Sequence, residues 1–370
     1  MKKKTLDKAF IGIVLCLVAV GLMMLWSASY VISYYKYENS WHFISKQFIF
    51  AVIGMIIMFA FAKLDYKIYF RFAEYIYAVA IFLLIIVLFM PPVNGARRWL
   101  TLGIGSFQPS EVAKFALIVI ISKVGTIKKV RMRTFKYGIV KLLLLMGFVA
   151  CLTILEPHIS GTVLIFSIGT ILMFVAGANL FWFLVAAIFL AACVGFVVLI
   201  PGIADYATSR LQCWLDPFSD PRGKGYQIVQ SLLAIGAGGI SGVGIGGSKQ
   251  KQLYLPEPQN DFIFSIACEE LGLIGAAVIV LMFASLVSRG FKIAKRTQDT
   301  FGRLLVVGIV AQVGLQAIFN IAVVTNTIPN TGINMPFFSY GGTSLLMLLA
   351  EMGIVLSVDQ FGKKERIYKI

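Results

Sequence analysis

Long apolar stretches recur along the whole chain, and they restrict the folds that it can adopt. A helix needs about 20 apolar residues to cross the hydrocarbon core of a bilayer. The 59% of hydrophobic residues and the 14% of charged residues exclude an ordinary soluble domain, in which about 25% are charged. We therefore predict an all-α polytopic membrane protein whose residues 1–370 form one domain. Its ten spans are predicted at 9–28, 46–63, 69–90, 109–123, 138–155, 159–177, 180–200, 262–288, 304–325 and 335–358.

The basic residues indicate how these spans are oriented. The formal net charge of +16 would suggest a nucleic-acid partner in a soluble protein. Here most of the 33 Lys and Arg residues fall on one side of the predicted spans, in short segments. This distribution follows the positive-inside rule. It predicts that both termini are cytoplasmic and that the charge has no connection with nucleic acid.

One segment breaks the pattern of short loops. Residues 201–261 lie between spans 7 and 8, on the extracytoplasmic side, and are rich in Gly, Pro and polar residues. They also include an apolar, helix-like piece at 226–235. Loops of this length are usually functional or disordered, and the aromatic content argues against disorder. We expect the loop to fold back onto the membrane surface, partly as an interfacial helix.

The end of this loop carries the first candidate for chemistry. Asp261 stands where the eighth span begins. Position alone favours a helix N-cap, since a carboxylate there accepts backbone N–H groups. The alternative is a general base that faces an extracellular cavity, since ionisable residues at membrane depth are often functional. For Glu269 and Glu270, further along, the alternatives are helix–helix hydrogen bonds and a proton or metal role.

Other polar groups near the outer face are candidates to bind or support a ligand. Glu111 and Lys114 are spaced i, i+3, which predicts a structural ion pair. The glycine-rich run 236–247 lacks a Walker lysine, so it predicts flexible turns or a close approach of the backbone to a ligand rather than a nucleotide site. The run 336–344 predicts close helix packing or contact with a sugar. Outward basic residues suit a pyrophosphate, and they are Arg97, Arg98, Arg210, Arg222, Lys224, Lys249 and Lys251.

Several short motifs, in their order and spacing, resemble the SEDS family (shape, elongation, division and sporulation), which includes FtsW, RodA and SpoVE. The resemblance covers nearly the whole chain and is closer to the FtsW and SpoVE branch. The motifs are Asn94-Gly-Ala-Arg97-Arg98-Trp99, Gln108-Pro-Ser-Glu111, Asp216-Pro-Phe-Ser-Asp220-Pro, Gly225-Tyr-Gln227-Ile-Val-Gln230-Ser231, Tyr254-Leu-Pro-Glu257, Asp261-Phe-Ile-Phe, Glu269-Glu270-Leu-Gly272 and Phe338-Ser-Tyr340-Gly-Gly342.

The resemblance implies a peptidoglycan glycosyltransferase that polymerises lipid II at the outer face of the bacterial cytoplasmic membrane, in cell division or sporulation. It implies that Asp261 is catalytic. It also implies a divalent cation, Mg²⁺ or Mn²⁺, for which we assign no ligands, and a class B penicillin-binding protein as partner beside other divisome or sporulation proteins. The residues that we expect to bind substrate are Arg210, Arg97, Arg98, Lys249, Gln230, Ser231 and Ser339.

The chain departs from the family pattern in two places. The family usually reads Gln-Pro-Asp-Leu-Gly-Thr where this chain reads Glu156-Pro-His158-Ile-Ser-Gly161-Thr162. The residue before Asp261 is Asn260 rather than the common threonine. We assign no role to His158.

Two other functions stay open from the sequence. A lipid II flippase would favour an ionisable pathway across the full depth of the membrane and helices broken at the midplane. A non-catalytic scaffold for a penicillin-binding protein would leave the outer charged residues dispensable. The informative residues gather at the outer face, which favours chemistry there.

Overall fold

The architecture is built almost wholly from helices. The computed structural model describes residues 6–92, 97–101, 106–127, 132–134, 139–156, 159–179, 181, 214–223, 225–330 and 332–362. A short antiparallel hairpin, β1 (Leu100–Thr101) and β2 (Ser106–Phe107), precedes the fifth helix. The helices are α1 (Lys8–Tyr37), α2 (His42–Lys63), α3 (Lys67–Arg71), α4 (Ala73–Leu88), α5 (Pro109–Ile127), α6 (Lys141–Leu155), α7 (Ile159–Val175), α8 (Tyr226–Gly238), α9 (Ile263–Arg296), α10 (Thr300–Val324) and α11 (Gly342–Phe361).

The predicted all-α polytopic fold is confirmed. Helices α1, α2, α9, α10 and α11 are long and apolar enough to cross a membrane, and α4, α6 and α7 are shorter apolar helices. Each predicted span coincides with a helix except two. The third, at 69–90, is divided at Phe72 into α3 and α4, and the seventh, at 180–200, lies outside the described residues apart from Phe181. The apolar piece predicted at 226–235 is α8.

Three helix boundaries differ from the predictions by seven residues or more. Helix α1 continues to Tyr37 rather than ending near residue 28, because its first stop signal is Glu38, whose left-handed backbone caps the helix. Helix α9 continues to Arg296 rather than to residue 288. Helix α11 begins at Gly342 rather than at 335. The residues before it form a loop in which Phe337 has a φ of 65°, a conformation that a helix does not allow.

The centre of the bundle is formed by α5, α10 and α11, whose residues are mostly buried. Helix α11 packs along α2, and α10 packs along α9. Small residues permit these close approaches. A Cβ atom added to Gly353 of α11 would lie 2.3 Å from the carbonyl oxygen of Met58 in α2. The two backbones therefore meet at a position where no side chain fits.

Helix α9 is broken at Gly272, which has a φ of 66° and a ψ of −169°. The break removes helical partners from the carbonyl groups of Glu269 and Glu270 and from the N–H groups of Leu273 and Ile274. Residues 239–244 replace all four partners at 3.0–3.2 Å. The bonds run from Val243 N to Glu269 O, from Gly244 N to Glu270 O, from Leu273 N to Gly239 O and from Ile274 N to Ile240 O.

This arrangement explains the glycine-rich run 236–247. A Cβ atom on Gly242 would lie 2.2 Å from the carbonyl oxygen of Glu270, so the loop reaches the broken helix only because it lacks side chains there. The close backbone contact of this run is made with α9 and not, in the described contacts, with a ligand. The apolar side chains of Ile240, Val243 and Ile245 remain exposed beside Leu273 and Ile274, as expected of a loop at a membrane surface.

We expect Gly353→Ala to lower thermal stability, because the new Cβ meets backbone rather than a movable side chain. Overpacking of this kind costs about 1–3 kcal/mol. Thermal unfolding in detergent would measure it. Gly12→Ala is the matched control, since a Cβ there has no heavy atom within 4 Å. Equal melting temperatures for the two variants would contradict the packing described for α2 and α11.

Candidate active site

A polar cavity of about 950 Å³ opens beside the start of α9. Its walls come from α1, α2, α5, α7, α8 and α10, and from the segments that precede β1, α5, α9 and α11. Aromatic side chains, including Tyr37, Phe43, Trp99 and Tyr340, alternate with charged ones around it. The charged lining residues are Lys36, Lys46, Arg98, Glu111, Lys114, Glu257 and Asp261.

Asp261 lies on the wall of this cavity and is only partly exposed. The N-cap interpretation is wrong, because the N-cap of α9 is Phe262 and no side chain caps this helix end in the described contacts. The carboxylate is therefore not engaged by the first turn of α9 and is available to the cavity.

The backbone of the segment that ends at Asp261 is held at three successive carbonyl groups. Tyr340 N donates to Gln259 O at 2.9 Å, the Ser339 hydroxyl donates to Asn260 O at 2.6 Å, and Asn320 Nδ2 donates to Asp261 O at 2.7 Å. All three donors belong to α10 or to the loop before α11. These three bonds fix the backbone position from which the Asp261 side chain extends.

The electrostatic environment of Asp261 combines opposing effects. Burial raises the pKa of its carboxyl to about 6, the positive charge of Arg98 lowers it, and the negative charge of Glu257 raises it. A base works best when its pKa lies near the operating pH. Asp261 therefore has the geometry and the proton affinity of a general base at neutral pH.

Of the predicted basic ligands, the structure brings Arg98 into the cavity. Arg97 points elsewhere, and its guanidinium donates to the carbonyl of Leu88 at 3.0 Å. Lys249 is exposed away from the cavity lining, and its backbone N–H donates to Glu269. Arg210 lies outside the described residues, as do His158 and Lys224.

Two predicted substrate ligands on α8 require correction. Ser231 is fully buried, and its hydroxyl contacts the Ser265 hydroxyl and the Val324 carbonyl, both at 2.7 Å. It packs α8 against α9 and α10 instead of facing a substrate. Gln230 is half-buried but does not line the cavity. Gln227, one turn earlier, does, because only the first turn of α8 reaches the cavity.

Ser339 also differs from its predicted role. Its hydroxyl donates to Asn260 O and accepts from Met335 N at 2.7 Å, and only 7% of the residue is exposed. Both hydrogen-bonding directions of this hydroxyl are used by the backbone. Ser339 therefore shapes the loop that holds Asp261 and does not bind substrate through its hydroxyl.

The cavity also includes residues that the sequence reading missed. Lys36 lies on the unpredicted final turns of α1 and forms an ion pair with Glu257 at 2.9 Å. Lys46 lies in the second turn of α2 and faces the same cavity. Asn330 donates to Gln227 Oε1 at 3.1 Å. The Gly225-Tyr-Gln227 motif could have indicated Gln227, but only the helical extension of α1 brings Lys36 to the site.

The predicted ion pair between Glu111 and Lys114 is confirmed, with a separation of 2.8 Å and both side chains buried. It forms part of the cavity wall. Deeper in the bundle, Gln312 donates to the carboxylate of Glu351 at 3.0 Å. Polar side chains thus continue from the cavity into the centre of the bundle.

Glu270 makes the predicted helix–helix hydrogen bond, with Ser27 of α1, and both glutamates also hold the large loop. The Glu270 carboxylate accepts from Lys251 Nζ and from the Ser27 hydroxyl of α1, both at 2.7 Å. Glu269 accepts from the backbone N–H groups of Lys249 and Gln250. The carboxylates satisfy loop and helix donors, which argues against the proton or metal alternative. Lys251 is buried in this pair and is not a phosphate ligand.

The described residues include no group of three or more His, Cys, Asp and Glu side chains that could hold a metal ion. Glu111, Glu257 and Asp261 are the carboxylates that line the cavity. Among the described residues, the protein side chains by themselves therefore do not supply a complete set of metal ligands.

Comparison with known proteins identifies the family. A family model described as cell cycle protein, for FtsW, RodA and SpoVE, matches residues 7–364. The chain belongs to the FtsW/RodA/SpoVE family. It is 40% identical to stage V sporulation protein E of Bacillus subtilis (strain 168), over 98% of this chain and 99% of that protein.

Two further relatives are similar over nearly their full lengths. The chain is 36% identical to a probable peptidoglycan glycosyltransferase FtsW of Trichlorobacter lovleyi, over 95% of this chain and 93% of that protein. A solved chain from work on the structural coordination of polymerization and crosslinking by a peptidoglycan synthase complex is 28% identical. The TM-score is 0.79, and the match covers 96% of this chain and 99% of that one.

We expect Asn320→Ala to destabilise the protein. The fully buried Asn320 side chain donates to the carbonyl groups of Asp261 and Ile333, both at 2.7 Å. Leaving a buried carbonyl without its donor costs about 1–3 kcal/mol. Thermal unfolding would show a lower melting temperature than for the control Asn39→Ala, whose side chain is exposed. A variant as stable as this control would show that the two bonds do not hold the segment.

Proposed function

We propose that this chain is a peptidoglycan glycosyltransferase that polymerises lipid II into glycan strands at the outer face of the bacterial cytoplasmic membrane, in division or sporulation. The observation that carries the proposal is the Asp261 carboxyl, free of helix capping and facing a polar cavity beside Arg98. Family membership and the named relatives support the same activity.

In the proposed reaction, Asp261 removes the proton from the 4-hydroxyl of the acceptor GlcNAc. The oxygen attacks the anomeric carbon of the donor MurNAc, a new glycosidic bond forms, and the bond to undecaprenyl pyrophosphate breaks. The leaving group departs with the bonding electron pair, and Asp261 later returns its proton to water. A positioned base of this kind contributes about 10²–10⁴-fold.

The cations that line the cavity are suited to the pyrophosphate. Arg98 and Lys46 are not fully buried, and they flank the same space as Asp261. Guanidinium and ammonium groups form charge-assisted hydrogen bonds with phosphate oxygens. We keep Arg210 as a predicted ligand of the pyrophosphate. Arg97 and Lys249 are no longer included, because neither lines the cavity.

The divalent cation also stays part of the proposal, although no ligand set prepared by the protein supports it. Mg²⁺ commonly keeps several waters and is bound by one or two carboxylates together with substrate phosphates. A cation that enters with the pyrophosphate is compatible with the few carboxylates of this cavity.

The setting in the membrane follows from the substrate. Ile49 and Ile53 of α2 are exposed apolar side chains that line the cavity. A polyprenyl chain would pass along these side chains. The lipid tail can remain in the bilayer while the sugars react above it.

The flippase alternative is less well supported. It favours a helix broken at the midplane along an ionisable pathway, but the break in α9 at Gly272 is filled by backbone groups of the glycine-rich loop. The cavity charges lie close to the outer ends of their helices, as Lys36, Lys46 and Lys114 illustrate.

A partner and an orientation complete the proposal. The similar solved chain comes from a complex that couples polymerization to crosslinking, and we propose a class B penicillin-binding protein as the partner, beside other divisome or sporulation proteins. Both termini are placed in the cytoplasm, because the basic residues cluster on that side.

We expect Asp261→Ala to reduce polymerisation of labelled lipid II by about 10²–10⁴-fold, because the base is lost. The assay uses the purified full chain with and without a penicillin-binding partner. Asp65→Asn, in the short segment between α2 and α3, is the control, and thermal melting verifies folding. Equal polymerisation by wild type and a folded Asp261→Ala would remove Asp261 from this role. No polymerisation by wild type under any condition would favour the flippase or the scaffold.

The pH profile gives an independent test of the same base. Because Asp261 acts unprotonated and burial raises its pKa to about 6, activity should fall as the pH drops through about 6. Arg98 lowers this pKa, so Arg98→Gln should move the acid limb to higher pH. Arg97→Gln removes the same charge outside the cavity and should leave the limb in place. An unshifted limb in Arg98→Gln would show that the two side chains do not interact.

A further inference from the structure

Glu156 is a buried acid that the proposed reaction does not use. It follows the last residue of α6, and none of its surface is exposed. Both carboxyl oxygens lack a hydrogen-bond partner among the described residues. Its backbone carbonyl, by contrast, accepts a hydrogen bond of 3.4 Å from Arg98 Nε. The acid thus lies against the one guanidinium that lines the described part of the cavity.

Arg98 interacts electrostatically with two carboxyl groups, those of Asp261 and Glu156. Arg98 is the charged group that acts on Glu156 among the described residues. When both acids are ionised, each negative charge disfavours the other, which offsets part of the stabilisation that the shared guanidinium gives to each.

We propose that Glu156 is a positioning residue that sets how much of the charge of Arg98 is available to Asp261 and to the anionic substrate. This inference rests on the proposed function of the same cavity. Glu156 touches neither substrate nor reacting atoms, and it acts through Arg98.

The protonated form of Glu156 is the one that suits catalysis. An ionised carboxylate without hydrogen bonds is costly in a buried position, and burial raises the pKa of Glu156 to about 8 despite the opposing effect of Arg98. At neutral pH the acid is uncharged, so Arg98 directs its full charge towards the cavity. At higher pH Glu156 ionises and competes with Asp261 and the pyrophosphate for Arg98.

The test compares lipid II polymerisation by wild type and Glu156→Gln across the alkaline range. Glutamine keeps the volume and the backbone carbonyl but cannot ionise. A group with a pKa near 8 is about 90% ionised at pH 9, so the wild-type rate should fall up to about tenfold between pH 7 and pH 9. In Glu156→Gln, the polymerisation rate should fall less than about twofold over the same pH range. Glu74→Gln, at the start of α4 beside Lys123, controls for loss of a glutamate elsewhere.

A second measurement does not depend on activity. Infrared difference spectra of wild type minus Glu156→Gln should show a protonated-carboxyl band at pH 7 that disappears by pH 9. Glu156→Met, of similar volume, repeats both measurements if the glutamine variant folds poorly.

The inference is overturned if the alkaline limbs of wild type and Glu156→Gln coincide, or if no protonated-carboxyl band belongs to Glu156 at pH 7. An inactive wild type would count against the proposed function instead, and the infrared band would still decide the protonation of Glu156.

Discussion

Backbone groups near a bilayer must find partners inside the protein, and this constraint organises the region around the start of α9. The break in α9 would leave four such groups unpaired, and the glycine-rich loop pairs all of them. The part of α9 before Gly272 is thereby held in a fixed direction. The residues just before α9 are 259–261. Their three backbone carbonyl groups accept hydrogen bonds from Tyr340, Ser339 and Asn320. The position of Asp261 is therefore determined by hydrogen bonds to the backbone both at residues 259–261 and at the break in α9.

The ionic network of the large loop serves the same end. Lys251 and Ser27 both bind Glu270, so the loop is attached to α1 as well as to α9. Near the rim, Lys36 of α1 pairs with Glu257. The buried pair leaves little freedom, since breaking it would expose an uncompensated charge to a low-dielectric interior. The rim pair is half-exposed and so contributes less.

Within the cavity, the proton affinity of Asp261 reflects a balance between burial and the charge of Glu257, which raise it, and the guanidinium of Arg98, which lowers it. Because Arg98 also faces Glu156, the properties of the cavity depend on an acid that does not line it. A change in the charge of Glu156, at the end of α6, would therefore alter the proton affinity of Asp261, before the start of α9, through Arg98 and without a direct contact between the two acids.

The sequence by itself determined the helical membrane fold and the family, and it predicted a catalytic role for Asp261, because apolar spans and spaced motifs are local properties of the chain. It also determined the pair of Glu111 and Lys114, since residues three apart on one helix necessarily face the same way. Only the tertiary structure decided that Ser231 and Ser339 support the protein instead of binding substrate, and that Lys36 and Gln227 reach the cavity. The direction of a side chain relative to a distant segment depends on how helices pack. That packing is set by contacts between residues hundreds of positions apart, such as Ser27 and Glu270, which no local pattern encodes.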